Sequence, residues 1–118
     1  MTVEADIYTL LQGFVGGRVF PDVAPFSTVR PYITYQQIGG EVINYTDAQL
    51  PDKQNGYFQI NVWATSRASA AALALQVDAA LRAASAFQAE PQSAPIATHD
   101  PDLDLYGTIQ DFSIWSAR

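Results

Sequence analysis

Between Tyr57 and Leu81 the chain reads YFQINVWATSRASAAALALQVDAAL, an alternating strand that passes within a few residues into an alanine-rich helix. Successive side chains of a strand point to opposite sides of a sheet. Phe58, Ile60 and Val62 therefore share one face, and Tyr57, Gln59, Asn61 and Trp63 share the other. The aliphatic face needs a covering layer, and the helix that follows supplies one. At helical spacing Ala70, Leu73, Ala74, Val77, Ala80, Leu81 and Ala84 form a broad apolar stripe, with Arg67, Asp78, Arg82 and Ser85 opposite. Leu75 falls outside that stripe, beside Ala68, Ala72 and Ala79, in a second strip of small residues that lets another backbone approach closely. This segment alone points to a sheet with helices on one side.

The flanking sequence fills in the order. Thr2 is a helix cap, with Val3, Ile7, Leu10, Leu11 and Phe14 at helical spacing behind it and Gly13, Gly16 and Gly17 as the stop. Arg18 to Pro31 holds three prolines and reads as a short edge strand followed by an extended crossover. Tyr32 to Ile38 alternates as a strand. Gly39-Gly40 marks a turn or bulge, beyond which Glu41 to Tyr45 extends the strand or folds over the sheet. Thr46 to Gly56 is polar and ends in Asn-Gly, a turn signal. The second helix is capped by Thr65 or Ser66 and runs to about Ser85. Phe87 to Leu103 is a proline-rich acidic connector with a short strand at Ala94 to Thr98. Leu105 to Ser116 alternates again, with Tyr106, Thr108, Gln110, Phe112 and Ile114 on one face. The expected fold is α+β, a single domain over 1–118 in the order α-β-β-β-α-β. It has a mainly antiparallel three- to five-stranded sheet with two helices packed on one face.

Composition narrows the function. The chain has 118 residues, no cysteine, and twelve carboxylates against six Lys and Arg, a net charge of −6. Disulfides, thiolate catalysis and cysteine-ligated zinc are excluded. The cations are scattered, so the chain offers no basic stripe for phosphate binding. No apolar run approaches the ~20 residues that span a bilayer. The first fourteen residues carry acidic side chains where a secretion signal needs positive charge.

The chemical lures have plainer readings. Asp100, Asp102, Asp104 and Asp111 fall at positions 1, 3, 5 and 12 of a calcium loop, yet position 6 is Leu105 instead of glycine and the segment enters a strand. They read as an acidic solvated loop. His99, the one histidine, has no nucleophile or orienting partner at recognisable spacing. Gly13, Gly16 and Gly17 end a helix where phosphate binding needs them to open one. No catalytic, cofactor-binding or metal-binding residue is assigned. The face carrying Tyr57, Gln59 and Trp63, joined by Trp115, mixes aromatics with amides. A subunit interface is favoured there, along with the Ala68, Ala72, Leu75 and Ala79 strip, because Trp and Tyr suit interface cores. Cover by another segment of the same chain, such as Glu41 to Tyr45, is the alternative, and a small-ligand platform is a third.

Val19-Phe20-Pro21 with Ala24-Pro25, then Pro31-Tyr32, Val62-Trp63-Ala64 and Asp111-Phe112-Ser113 with Trp115 resemble, in order and spacing, the tail completion or tail terminator family of tailed phages, prophages and gene-transfer particles. The resemblance covers nearly the whole chain. It implies a non-enzymatic virion protein made in the bacterial cytoplasm and placed at the head-proximal end of the tail. Such a protein forms a ring, a homohexamer in the siphophage type, that caps the tail tube, ends its polymerisation and meets the head-tail connector or stopper. DNA would pass through only as cargo, no cofactor is implied, and no membrane is involved. A head-closure protein of the same particle and a small-ligand-binding regulatory domain are the competing readings. Under the family reading the long loop Gly39 to Gly56 would contact tube or connector, and deleting Thr46 to Asn55 would spare the fold.

Overall fold

The computed structural model describes residues 2–44 and 50–118. Helix α1 (Val3–Leu11) begins where the Thr2 hydroxyl accepts the Ala5 N–H at 3.1 Å. That bond satisfies one of the donors that a helix start leaves open. The helix tightens into a 3-10 turn over Gln12–Phe14 and stops at Gly16 and Gly17, whose φ values of 59° and 84° suit glycine. The tighter winding shifts the phase of the apolar stripe. Phe14, expected in the core, is consequently exposed, and Val15 is buried instead.

Among the described residues six strands form a single sheet. Strand β1 (Val19–Pro21) pairs in parallel with β2 (Tyr32–Gly39). Strand β3 (Lys53–Ala64) lies antiparallel between β2 and β6 (Leu105–Ala117). Strands β4 (Gln88–Pro91) and β5 (Ile96–Asp100) flank successive stretches of the far side of β6. The fold is α+β and mainly antiparallel, as expected, with one strand more than the upper expectation. That strand is β4, too short and too proline-bounded to stand out by alternation.

Helix α2 (Arg67–Arg82) starts at Ser66, whose hydroxyl accepts the Ser69 N–H at 3.1 Å. Its stripe of Ala70, Leu73, Ala74, Val77 and Leu81 is buried against the sheet. Register places Ile33, Tyr35, Phe58, Ile60, Val62, Phe112 and Ile114 on that same side. Together with Ile7, Leu11, Val15 and Val19 they form one core. Gln110 also lies on this side; its amide donates to the Ser93 carbonyl at 2.9 Å and holds the link between β4 and β5.

Two local expectations change. Asn55-Gly56 is not a turn: both residues lie inside β3, opposite Trp115 and Ile114. Strand β6 extends to Ala117, and pairing with it overrides local turn chemistry. The loop after Gly39 is therefore shorter than expected, and a deletion reaching Asn55 would cut into the sheet. Glu41 to Asn44 do not continue the strand; Tyr45 and the 46–49 stretch of the expected loop lie outside the described residues.

Burial raises the pKa of Tyr35, helped by the charges of Glu4 and Asp22, and burial likewise raises that of Tyr32. The folded chain thus holds these protons more tightly than the unfolded chain. Their stabilising contribution is complete below the ordinary tyrosine value of 10.0 and is lost as pH rises through the raised values. Thermal melts should show a falling Tm above that pH, with a shallower fall in Tyr35→Phe; an identical pH profile for the variant would contradict this origin.

Candidate docking surfaces

The side of the sheet away from the helices has three zones. At one end Asn55 is buried: its Oδ1 accepts the Glu41 N–H at 2.8 Å, and its Nδ2 donates to Ser113 Oγ at 2.9 Å. The Tyr57 hydroxyl donates to Glu41 Oε1 at 2.5 Å, and this hydrogen bond raises the Tyr57 pKa. Glu41 thus covers this end from within the chain. Trp115 stands on the rung shared with Asn55 and Gln88. In the middle, Gln36, Gln59 and Asp111 share one rung, a polar band with half-buried Gln59 and Asp111.

The third zone is aromatic. Phe20, Tyr32 and Trp63 cross three strands with successive ring centroids 6.5 Å apart. Trp63 lies over Gly107, where an added Cβ would stand 2.6 Å from Trp63 Cε3 and 2.7 Å from the Val62 carbonyl oxygen. The missing side chain makes room for the indole. Above this row the loop from Asp22 to Arg30 and the turn around Leu103 enclose a groove of about 500 Å³. The Arg30 guanidinium ties these walls together, donating to the carbonyls of Leu103 at 2.5 Å and Asp104 at 2.8 Å. Val23 and Phe26 on the rim are 80% and 94% exposed, giving the groove an apolar edge.

The residues singled out from sequence therefore do not form one patch. Tyr57, Gln59, Trp63 and Trp115 do share the outer sheet face. Trp63 and Trp115, however, oppose Gly107 and Asn55, and the eight residue steps from Gly107 to Trp115 span ~27 Å of strand. Ala68, Ala72, Leu75 and Ala79 are exposed on α2, across the molecule from that face, with Leu75 67% accessible. The groove itself, with Tyr32, Asn61 and the exposed Val23 and Phe26, was not apparent from sequence. Its one legible signal was three apolar residues spaced by three (Val23, Phe26, Val29) in a proline-rich loop.

The acidic run is a turn. Asp100 Oδ1 accepts the N–H groups of Asp102 and Leu103 at 3.0 and 3.4 Å, while Asp111 lies within β6 opposite Gln59. Among the described residues no three His, Cys, Asp or Glu side chains gather as a metal site. His99 stacks on Tyr106 at 4.2 Å and lies 3.4 Å from an Asp104 carboxylate oxygen. Arg67 sits over the same tyrosine and donates to the carbonyls of Gly107 and Thr98, fastening α2 to β5 and β6. No described helix is long and apolar enough to cross a membrane.

A family model described as "Tail completion protein gp17" matches residues 6–117. Solved structures also match. One is 15% identical with a TM-score of 0.56, over 98% of this chain and 93% of the other, a likeness of fold. No curated protein matches.

Proposed function

This chain belongs to the tail completion protein gp17 family of phage tails, and from that premise we propose that it closes the head-proximal end of the tail tube as a ring of identical subunits. The observation that carries the ring is the placement of two unlike surfaces on opposite sides of one subunit. The Ala68, Ala72, Leu75 and Ala79 strip faces outward from the helix layer, and Tyr57 and Gln59 face outward from the part of the sheet away from the Trp63 groove. A head-to-tail interface needs two different patches, and such an interface generates a ring when the rotation between neighbours closes. Small side chains on α2 let a neighbouring sheet come near, while the half-buried Gln59 and Tyr57 supply amide and aromatic contacts. The ring is a hexamer in this reading. It stops tube polymerisation and offers a surface to the connector or stopper of the head, and DNA passes through its acidic subunits without clustered cations to hold it.

Leu75→Glu tests the interface. Leu75 is exposed in the subunit, so its replacement should shift stability by no more than ~0.5 kcal/mol. It should nevertheless break the oligomer and leave tails unjoined to heads. An unchanged oligomer would show that the strip is ordinary surface. A head-closure protein would share the ring but not the tube, so co-purification with connector alone would favour that reading.

A further inference from the structure

We propose that the groove beside Trp63 docks an arginine- or lysine-bearing segment of a protein other than this chain. The floor is aromatic, with Tyr32 and Trp63 in line, and ring faces attract cations. Asn61, also on the floor, has its side-chain oxygen without a donor among the described residues, an acceptor left to be satisfied. Asp22 and Asp100 stand at the walls, and the one cation among the lining residues, Arg30, has both terminal nitrogens engaged by carbonyls of the opposite wall. A long basic side chain fits each demand: its head meets the carboxylates, Asn61 and rings, and its stem packs on Val23 and Phe26. The walls are also held in a costly backbone form. Asp22, Ser27 and Asp104 are the non-glycine residues with positive φ among those described, and all three lie in or beside these two loops.

The chain's own cations do not suit this role. Arg18 donates to the Pro31 carbonyl, Arg67 to Gly107 and Thr98, Arg118 to Pro51, and Arg82 pairs with Asp78. Lys53 begins β3, at the other end of the strand from Trp63. A basic segment of another protein also complements the net charge of −6. The groove stands apart from the ring contact and does not depend on it.

The test uses Trp115→Phe, which leaves Trp63 as the sole tryptophan. Its emission is followed during titration with two acetylated, amidated tetrapeptides, Ala-Arg-Arg-Ala and Ala-Gln-Gln-Ala. The arginine peptide should give a saturable shift, and the glutamine peptide should bind at least about ten-fold more weakly, the scale of a charge-assisted hydrogen bond. Added Asn61→Leu or Asp22→Asn should weaken the arginine peptide several-fold, and added salt should do the same, whereas Leu75→Glu should leave it unchanged. Equal binding of the two peptides, no saturable shift, or indifference to Asn61→Leu and Asp22→Asn would overturn the proposal. A Trp63 shift on concentrating the chain alone would assign the groove to a second copy and overturn it equally.

Discussion

Phe112→Ala is expected to lower the melting temperature by roughly 10–20 °C, from a loss of about 3–5 kcal/mol. Phe112 is 0% exposed and sits opposite Phe58 at the centre of the longest ladder, between β3 and β6. Val77 and Leu81 of α2 and Ile114 of its own strand belong to the same buried core. These neighbours are fixed by the sheet register and by a helix capped at Ser66, so they have little freedom to collapse into the space left by the ring. Against a typical domain stability of about 5–15 kcal/mol, that loss leaves a small margin or none. Calorimetry or circular dichroism checks it. A decrease no larger than that caused by Leu75→Ala, on the exposed side of α2, would mean that the core is not organised around this pair of rings.

Gly107→Ala is the second large effect, with a different cause. The new Cβ would stand 2.6 Å from Trp63 Cε3 and 2.7 Å from the Val62 carbonyl oxygen. Rotating the indole away relieves the first clash but not the second, because the carbonyl belongs to the backbone of the adjoining strand. Overpacking of this kind costs about 1–3 kcal/mol. It should also push Trp63 into water, seen as a red shift of its emission. Trp63→Leu in the same background should recover part of the stability and not all of it. Full recovery would show that the carbonyl contact is unimportant; no loss in the single variant would show that β3 and β6 yield easily at this end.

Much of the fold was legible because it rests on local periodicity. The parity of Phe58, Ile60 and Val62, the α2 stripe, and the caps at Thr2 and Ser66 all depend on spacings of two, three or four residues. Asn55-Gly56 was misleading for the opposite reason: its turn chemistry is local, while its pairing with Trp115 and Ile114 is distant. Phe14 and Val15 exchanged places because one 3-10 turn altered the phase of α1. The groove was illegible for a stronger reason. Its two walls are tied by Arg30, 74 residues from Asp104. Its empty acceptor, Asn61, looks in sequence like any amide on an outward strand face. The exposed strip on α2 lay between these extremes: helical spacing singled out its members, but spacing alone does not say what covers them.

The ring is tested most directly by the mass of the assembled species. Native mass spectrometry of the purified chain at high concentration, alone and with the tail-tube protein of the same particle, is predicted to give a closed oligomer of six copies, with or without bound tube protein. A strict monomer under both conditions would contradict the account.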